Sequence, residues 1–202
     1  MTDQFDVDLD SLQTMAKVLG SLFYFPLTDA NNQALIKALS VDSKEQESPF
    51  SQWCDTVDNE IKDTINQDFF LLFEGGEIMV APPWGSVYLD REEVIFGDST
   101  VEYRQFLRSH GLELDTGMRE PEDQFGLMLF AVSQFLEQKF DLDVVKRLFA
   151  DHLLPWCFRY LELVQTHALS KSYKQLAALT GQWCEAVQEV LDVDVTQRKL
   201  YR

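Results

Sequence analysis

Side chains capable of acid, base or nucleophilic work are few and scattered in this chain. Asp151 and His152 adjoin in "DHLLPW", and a neighbouring carboxylate can orient an imidazole as a base. Successive residues of a helix point in different directions, however, which favours a structural role for both. Ser86 with Asp123 or His152 is the nearest approach to a nucleophile and its base. His110, His152 and His167 have no partner at metal-ligand spacing, and His110 reads as a helix C-terminal cation. Cys54, Cys157 and Cys184 lie far apart with no C-x-x-C, as expected of reduced thiols in a helical core. The phosphate cradles G-x-x-x-x-G-K-[ST] and G-x-G-x-x-G, the nucleophile elbow G-x-S-x-G and the zinc motif H-E-x-x-H are all missing. The expectation is a non-enzyme with no metal or cofactor, and a small hydrolase is the alternative built on Ser86.

The chemistry that is concentrated belongs to recognition. Between Ala81 and Thr100, "APPWGSVYLDREEVIFGDST" crowds Pro82, Pro83, Gly85 and Gly97 among aromatic and acidic residues. Prolines and glycines there predict a rigid, irregular connection between helices. Such a loop can present Trp84 and Tyr88 as exposed aromatics beside Asp90, Glu92 and Glu93, which suits a peptide carrying both leucines and arginines. The competing reading is that Trp84 plugs the end of a bundle.

The elements that must hold this segment are helical. Leu9, Leu12, Met15, Ala16, Leu19, Leu22 and Phe23 recur at three- and four-residue steps until Pro26. A short helix from about Asp29 to Leu39 precedes the exposed tract "SVDSKEQESP". Ser48 and Pro49 then start one long helix through Trp53, Val57, Ile61, Ile65, Phe69, Leu72 and Phe73 to Gly75-Gly76. Asp98 or Ser99 caps a helix that closes at His110-Gly111, and Glu120-Pro121-Glu122-Asp123 reads as the first turn of another. Asp141 opens a further helix, Pro155 breaks or restarts it, and the last runs from Ser172 to about Val190 with Trp183 and Val190 inward. A weak strand alternation appears only from Val87 to Ile95. The pattern predicts an all-α helical bundle forming a single domain over residues 1–202, without repeats or a linker.

Charge narrows the partners. Of 202 residues, 34 are acidic and 17 basic, a formal net charge of −17 that repels nucleic acid and anionic lipid. That acidity serves solubility, or it draws in a cationic peptide. The N-terminal "MTDQFDVDLD" lacks the basic region of a secretory signal, and the apolar run Val18 to Leu27 is too short to span a bilayer. A cytoplasmic protein without membrane insertion is expected.

"PPWGSVYLDRE" with "FGDST", then "EPEDQFG" and "HLLPW", after a first helix ending "LGSLFYFP", resemble in order and spacing the TorD/DmsD family of redox-enzyme maturation chaperones, nearest its DmsD branch. The resemblance extends from about Ser11 to the terminal "YR". It implies an all-α chaperone that binds the twin-arginine leader of a molybdoenzyme catalytic subunit, as in a dimethyl sulfoxide reductase, and withholds the precursor from export until its cofactor is inserted. The twin-arginine translocase is a further partner that the resemblance allows. Carried over residue by residue, the leader groove comprises Tyr24, Phe69 and Phe73, the loop residues Trp84, Gly85, Ser86 and Tyr88, and the turn Pro121, Glu122, Asp123 and Gln124. Gln124 stands where the family commonly has histidine, so it hydrogen-bonds without carrying positive charge. A structural subunit of an oxidoreductase is the remaining alternative. Nucleotide binding, proposed within the family, has no phosphate loop here.

Overall fold

The computed structural model describes residues 8–42, 49–75, 79–113 and 120–202, and among them it is helical with no strand. Helices α1 (Leu9–Tyr24), α2 (Ala30–Asp42) and α3 (Pro49–Asn59) come first. Next are α4 (Lys62–Phe69), which runs into a π-helical turn (Phe70–Glu74), and the short α5 (Gly85–Leu89). They are followed by α6 (Asp98–Ser109), α7 (Phe125–Glu137) and α8 (Leu142–Arg147). A second π-helical turn (Leu148–Leu153) leads into α9 (Leu154–His167), and α10 (Lys171–Val190) completes the set. The expected tract 43–48, with the Ser48 cap, and Gly76 lie outside the described residues.

The core forms where α1 lies along α7 and α10 along α9 and α3. At the α1–α7 crossing a Cβ on Gly126 would stand 2.7 Å from the Gly20 carbonyl oxygen, and one on Gly20 3.0 Å from that of Gly126. Two glycines therefore let the backbones touch and hold the end of α1 against the start of α7. Around that contact the rings of Phe23, Phe125 and Tyr160 pack at centroid separations of 5.0 Å for Phe23–Phe125 and for Phe125–Tyr160. Edge-to-face and tilted geometries of this kind add to the burial energy of the rings.

Several boundaries differ from the periodicity. The long helix expected from Pro49 to Gly75 breaks after Asn59 and restarts at Lys62, leaving Ile61 extended and 71% exposed. The cause is tertiary. The break turns the Glu60 carboxylate onto the Lys171 and Ser172 N–H groups (2.8 and 2.9 Å), and Asp68 accepts from Leu169 and Ser170 (2.9 and 2.6 Å). Two carboxylates thus satisfy the open donors and positive dipole end of α10.

The segment expected to be irregular between Ala81 and Thr100 contains α5, and Val87 to Ile95 forms no strand. Helix α6 begins at Asp98 after Gly97, with Ser99 inside it and its N–H bonded to Asp90. Residues Pro121 to Asp123 form a turn instead of a first helical turn, since α7 starts at Phe125 with Gln124 as its cap. Helix α10 starts at Lys171 with Ser170 as its cap. At its far end Val190 is exposed, and Trp183 is half-buried with its ring 6.1 Å from that of Phe149. Pro155 does restart the chain, at the first turn of α9.

Candidate functional site

The loop and the turn singled out in the sequence are joined. Trp84 and Gln124 form an isolated antiparallel bridge, with the Phe125 N–H donating to the Pro83 carbonyl at 2.7 Å and the Gly85 N–H to that of Asp123 at 3.1 Å. Prolines at 82 and 83 fix the approach, and the bridge satisfies backbone groups that neither helix can. The Gln124 side-chain oxygen accepts from the Leu127 N–H at 2.9 Å, capping α7. That role needs only an acceptor, which glutamine supplies without charge.

Asp123 is 3% exposed and accepts from the Ser86 N–H at 2.7 Å, tying the turn to α5. Burial pushes its carboxyl above the ordinary range, opposed by the Ser86 N–H and by the nearby Ser86 and Thr100 hydroxyls. Neither hydroxyl reaches full hydrogen-bond geometry, and Asp123 Oδ1 has no partner among the described residues. Glu122 is engaged by Arg104, whose Nε and Nη2 donate to its two oxygens at 2.6 and 2.7 Å. Burial raises this carboxyl, but the paired guanidinium outweighs it and holds it below the ordinary value.

The expected groove residues separate into two groups. Tyr24 and Trp84 are half-buried at the surface, and the buried Trp84 indole N–H lacks a partner among the described residues. Phe69, Phe73 and Tyr88 lie in the core, which corrects the reading of Tyr88 as an exposed aromatic. Tyr88 is 0% exposed and stacks on Trp156 at 5.2 Å, while Phe73 meets Phe69 and Tyr173, each at 5.4 Å. The five-residue α5 turns position 88 inward onto Trp156 and Tyr160, an orientation an irregular loop would not impose. Gly85, Ser86 and Pro121 are buried as well.

Residues missed in the sequence complete the surface. The Glu120 carboxyl is raised by burial, lowered by a hydrogen bond from Tyr24 and raised again by the charge of Glu74, so these three side chains converge. Neither Glu74 nor Glu120 has an ion-pair partner among the described residues. Phe25 packs edge-on against Tyr24 at 4.7 Å, and Phe70 and Leu71, just before Glu74, are exposed. The signal for this surface was present in "EPEDQFG" and "FFLLFEGG", but helical phase favours the inward Phe69 and Phe73 over their outward neighbours. Exposed aromatic surface beside unpaired carboxylates can take an apolar segment flanked by cations.

The alternative acid-base pair is not assembled. Asp151 Oδ1 accepts from the Thr196 hydroxyl at 2.7 Å, while the His152 ring packs against Tyr103 and Phe106 at 5.2 and 4.9 Å. Burial lowers the pKa of His152 to about 4, against the attraction of Asp151 and Glu102. The imidazole is therefore neutral at pH 7, and its neighbouring carboxylate serves another partner.

Comparison with known proteins gives a consistent likeness. The family model for the nitrate reductase delta subunit matches residues 37–162. The Tat proofreading chaperone DmsD of Salmonella typhimurium is 34% identical, with 96% of this chain and 97% of that protein aligned. The chaperone protein YcdY of Escherichia coli is 27% identical over 92% of this chain and 98% of its own. Among solved structures, a redox enzyme maturation protein from Archaeoglobus fulgidus superposes with a TM-score of 0.60 at 16% identity, over 88% of this chain and 94% of that one. At that identity it shows the shared fold.

Proposed function

This chain belongs to the TorD/DmsD family of redox-enzyme maturation chaperones, and from that premise we propose that it binds the twin-arginine leader of a molybdoenzyme catalytic subunit. Family membership places it among system-specific chaperones and not among enzymes. The client we infer is a dimethyl sulfoxide reductase-like precursor, held in the cytoplasm and away from the translocase until its cofactor is in place. Among the described residues no helix is long and apolar enough to cross a membrane.

The observation that carries the reading is the Trp84–Gln124 bridge, which sets the loop and the turn edge to edge beside Tyr24 and Glu120. A leader brings guanidinium groups followed by an apolar run, and this ledge offers carboxylates followed by aromatic faces. Burial of a few leucine side chains at about 25 cal/mol per Å² supplies most of the affinity, offset by the ordering of a disordered peptide. Carboxylates fix register more than they add strength, since exposed pairs contribute about 0–1 kcal/mol each. Micromolar binding, about −8 kcal/mol, is expected.

Isothermal titration with synthetic leaders tests this directly. The unmodified leader binds, Trp84→Ala weakens it by about 1–3 kcal/mol with helical content kept, and polar replacement of the leader's leucines weakens it more than paired Arg→Lys changes. A pull-down should recover the leader-bearing precursor and not the mature enzyme. Equal recovery of both would instead mark a structural subunit.

A further inference from the structure

The last helix carries an apolar stripe that the chain does not fully cover. Trp183, Ala186, Val187, Val190 and Leu191 recur at the three- and four-residue steps of one helix face, a pattern that predicts burial. Val187 and Leu191 are buried, but Val190 is 56% exposed, Ala186 is exposed, and Trp183 reaches Phe149 while remaining half-buried. Leu12 and Met15 of α1 stand opposite them across a trough of about 280 Å³, whose lining Asp8 and Ser11 complete. Helix α1 lies along α7, and α10 along α9 and α3, so neither wall fills the apolar side of the other. From Met15 to Tyr24 the axis of α1 advances about 14 Å, which sets the trough apart from the ledge at Tyr24 and Glu120.

Charge selects what covers it. Residues 8–15 and 183–194, which build the two walls, carry Asp8, Asp10, Glu185, Glu189, Asp192 and Asp194 and no lysine or arginine. Asp8 lines the trough itself. The Ser11 hydroxyl and N–H donate to its carboxylate at 2.5 and 3.1 Å and hold its pKa below the ordinary value, which keeps the charge in place. The other five are exposed on the same two segments, and a Debye length of about 8 Å is comparable to the 10–12 Å width of a helix, so their field reaches the trough. A second copy docked trough to trough would set these carboxylates against their own kind and leave both troughs unfilled. Anionic lipid and nucleic acid would meet the same repulsion.

We propose that the α1–α10 trough is a second peptide site, which takes an amphipathic helix whose apolar stripe is edged by lysine or arginine. It stands independently of the leader-binding reading. A third helix laid between two others sets its ridge of side chains into their groove, here between Met15 and Val190 and over Trp183. The unbranched Met15 side chain adapts to ridges of differing shape. Apolar burial then supplies the affinity, and the carboxylates of both walls supply attraction and orientation. A peptide unfolded when free would gain helix on binding.

The test is isothermal titration and circular dichroism with two synthetic peptides of about 18 residues, or five helical turns, and identical leucine and lysine composition. One has its leucines at helical spacing, and the other is shuffled to destroy the stripe. The patterned peptide should bind one to one with a gain of helicity, and the shuffled one roughly tenfold more weakly. Val190→Lys should weaken the patterned peptide about tenfold, whereas Val101→Lys, at an exposed valine of α6, changes net charge equally and should weaken it less than about twofold. Both valines are exposed, so the variants keep the fold, which thermal melts check. Equal weakening by the two lysines, or equal binding of the two peptides, reduces the effect to bulk charge and overturns the site. Tighter binding by Phe5→Ser would make the residues preceding α1 the occupant, and a dimer of the free chain dissolved by Val190→Lys would make it a second copy; either overturns the site. A twin-arginine leader titrated in parallel should respond to Trp84→Ala and not to Val190→Lys. The reverse would merge the trough with the leader site, and a leader that binds no variant overturns the leader reading while the trough stands.

Discussion

Glu120 sits where the influences on a carboxyl disagree: burial raises its pKa, the Tyr24 hydroxyl lowers it, the Glu74 charge raises it, and the net lies above the usual 4.5. An arriving guanidinium would favour the ionised form, so leader binding should release a proton. Affinity is then full above the raised pKa of the free protein and declines as the pH falls through it. Stability runs the other way. Because folding raises this carboxyl's pKa, the folded state holds the proton more tightly, and stability falls as pH rises from the unfolded value through the folded one. Glu120→Gln keeps an acceptor for Tyr24 and removes the charge beside Glu74. It should bind the leader several-fold more weakly at neutral pH, flatten the pH dependence of binding, and melt slightly higher than the parent. Titration and thermal melts at two pH values check this, and loss of both affinity and stability would mean Glu120 is a structural contact only. Glu122 should respond differently, since its oxygens already hold Arg104 at 2.6 and 2.7 Å. Arg104→Ala leaves that carboxylate unpaired and should cost about 1–3 kcal/mol in a denaturant melt.

At the scale of elements, one contact decides how α6 begins. Asp90 accepts from the Ser99 N–H at 3.1 Å and its hydroxyl at 2.9 Å, serving as a cap from outside the helix. A Cβ on Gly97 would lie 2.0 Å from Asp90 Oδ2, so only glycine leaves room for that carboxylate. Gly97→Ala should lower stability by about 1–2 kcal/mol, the worth of a lost cap, and Asp90→Ala should match it. Additive losses in the double variant would show that the two residues act separately. Helical phase, together with cap and proline signals, made α1, α6, α7, α9 and α10 legible in the sequence, because each buries a stripe long enough to repeat. It could not show the break at Ile61, which keeps phase while facing solvent. That break depends on Glu60 and Asp68 reaching the start of α10 about a hundred residues away. Nor could it show α5, five residues long and held by Asp123 on Ser86 and by Trp156 on Tyr88. The candidate site was legible as a set of motifs through family resemblance. Its division into a surface pair, Tyr24 and Trp84, and a buried support, Phe69, Phe73 and Tyr88, arises from packing between distant segments.

Over the whole molecule, a net charge of −17 acts on folding and on association with opposite consequences. Like charges on a compact chain repel, so screening should stabilise it. The same field attracts a cationic leader before contact, so screening should slow its arrival. Raising ionic strength from about 0.01 M to about 0.15 M shortens the Debye length from about 30 Å to about 8 Å, comparable to the spacing of surface carboxylates. The melting temperature should therefore rise over that range while the leader's association rate falls roughly tenfold and its dissociation rate changes little. Dissociation is governed by buried apolar surface, which salt at these concentrations barely touches. Stopped-flow tryptophan fluorescence against a labelled leader, run beside thermal melts in the same buffers, separates the two effects. Asp194→Asn, which removes an exposed carboxylate that is not among the ledge residues, should shift the association rate slightly and leave dissociation alone. An association rate indifferent to salt would mean that the acidity keeps the chain soluble without guiding its partner.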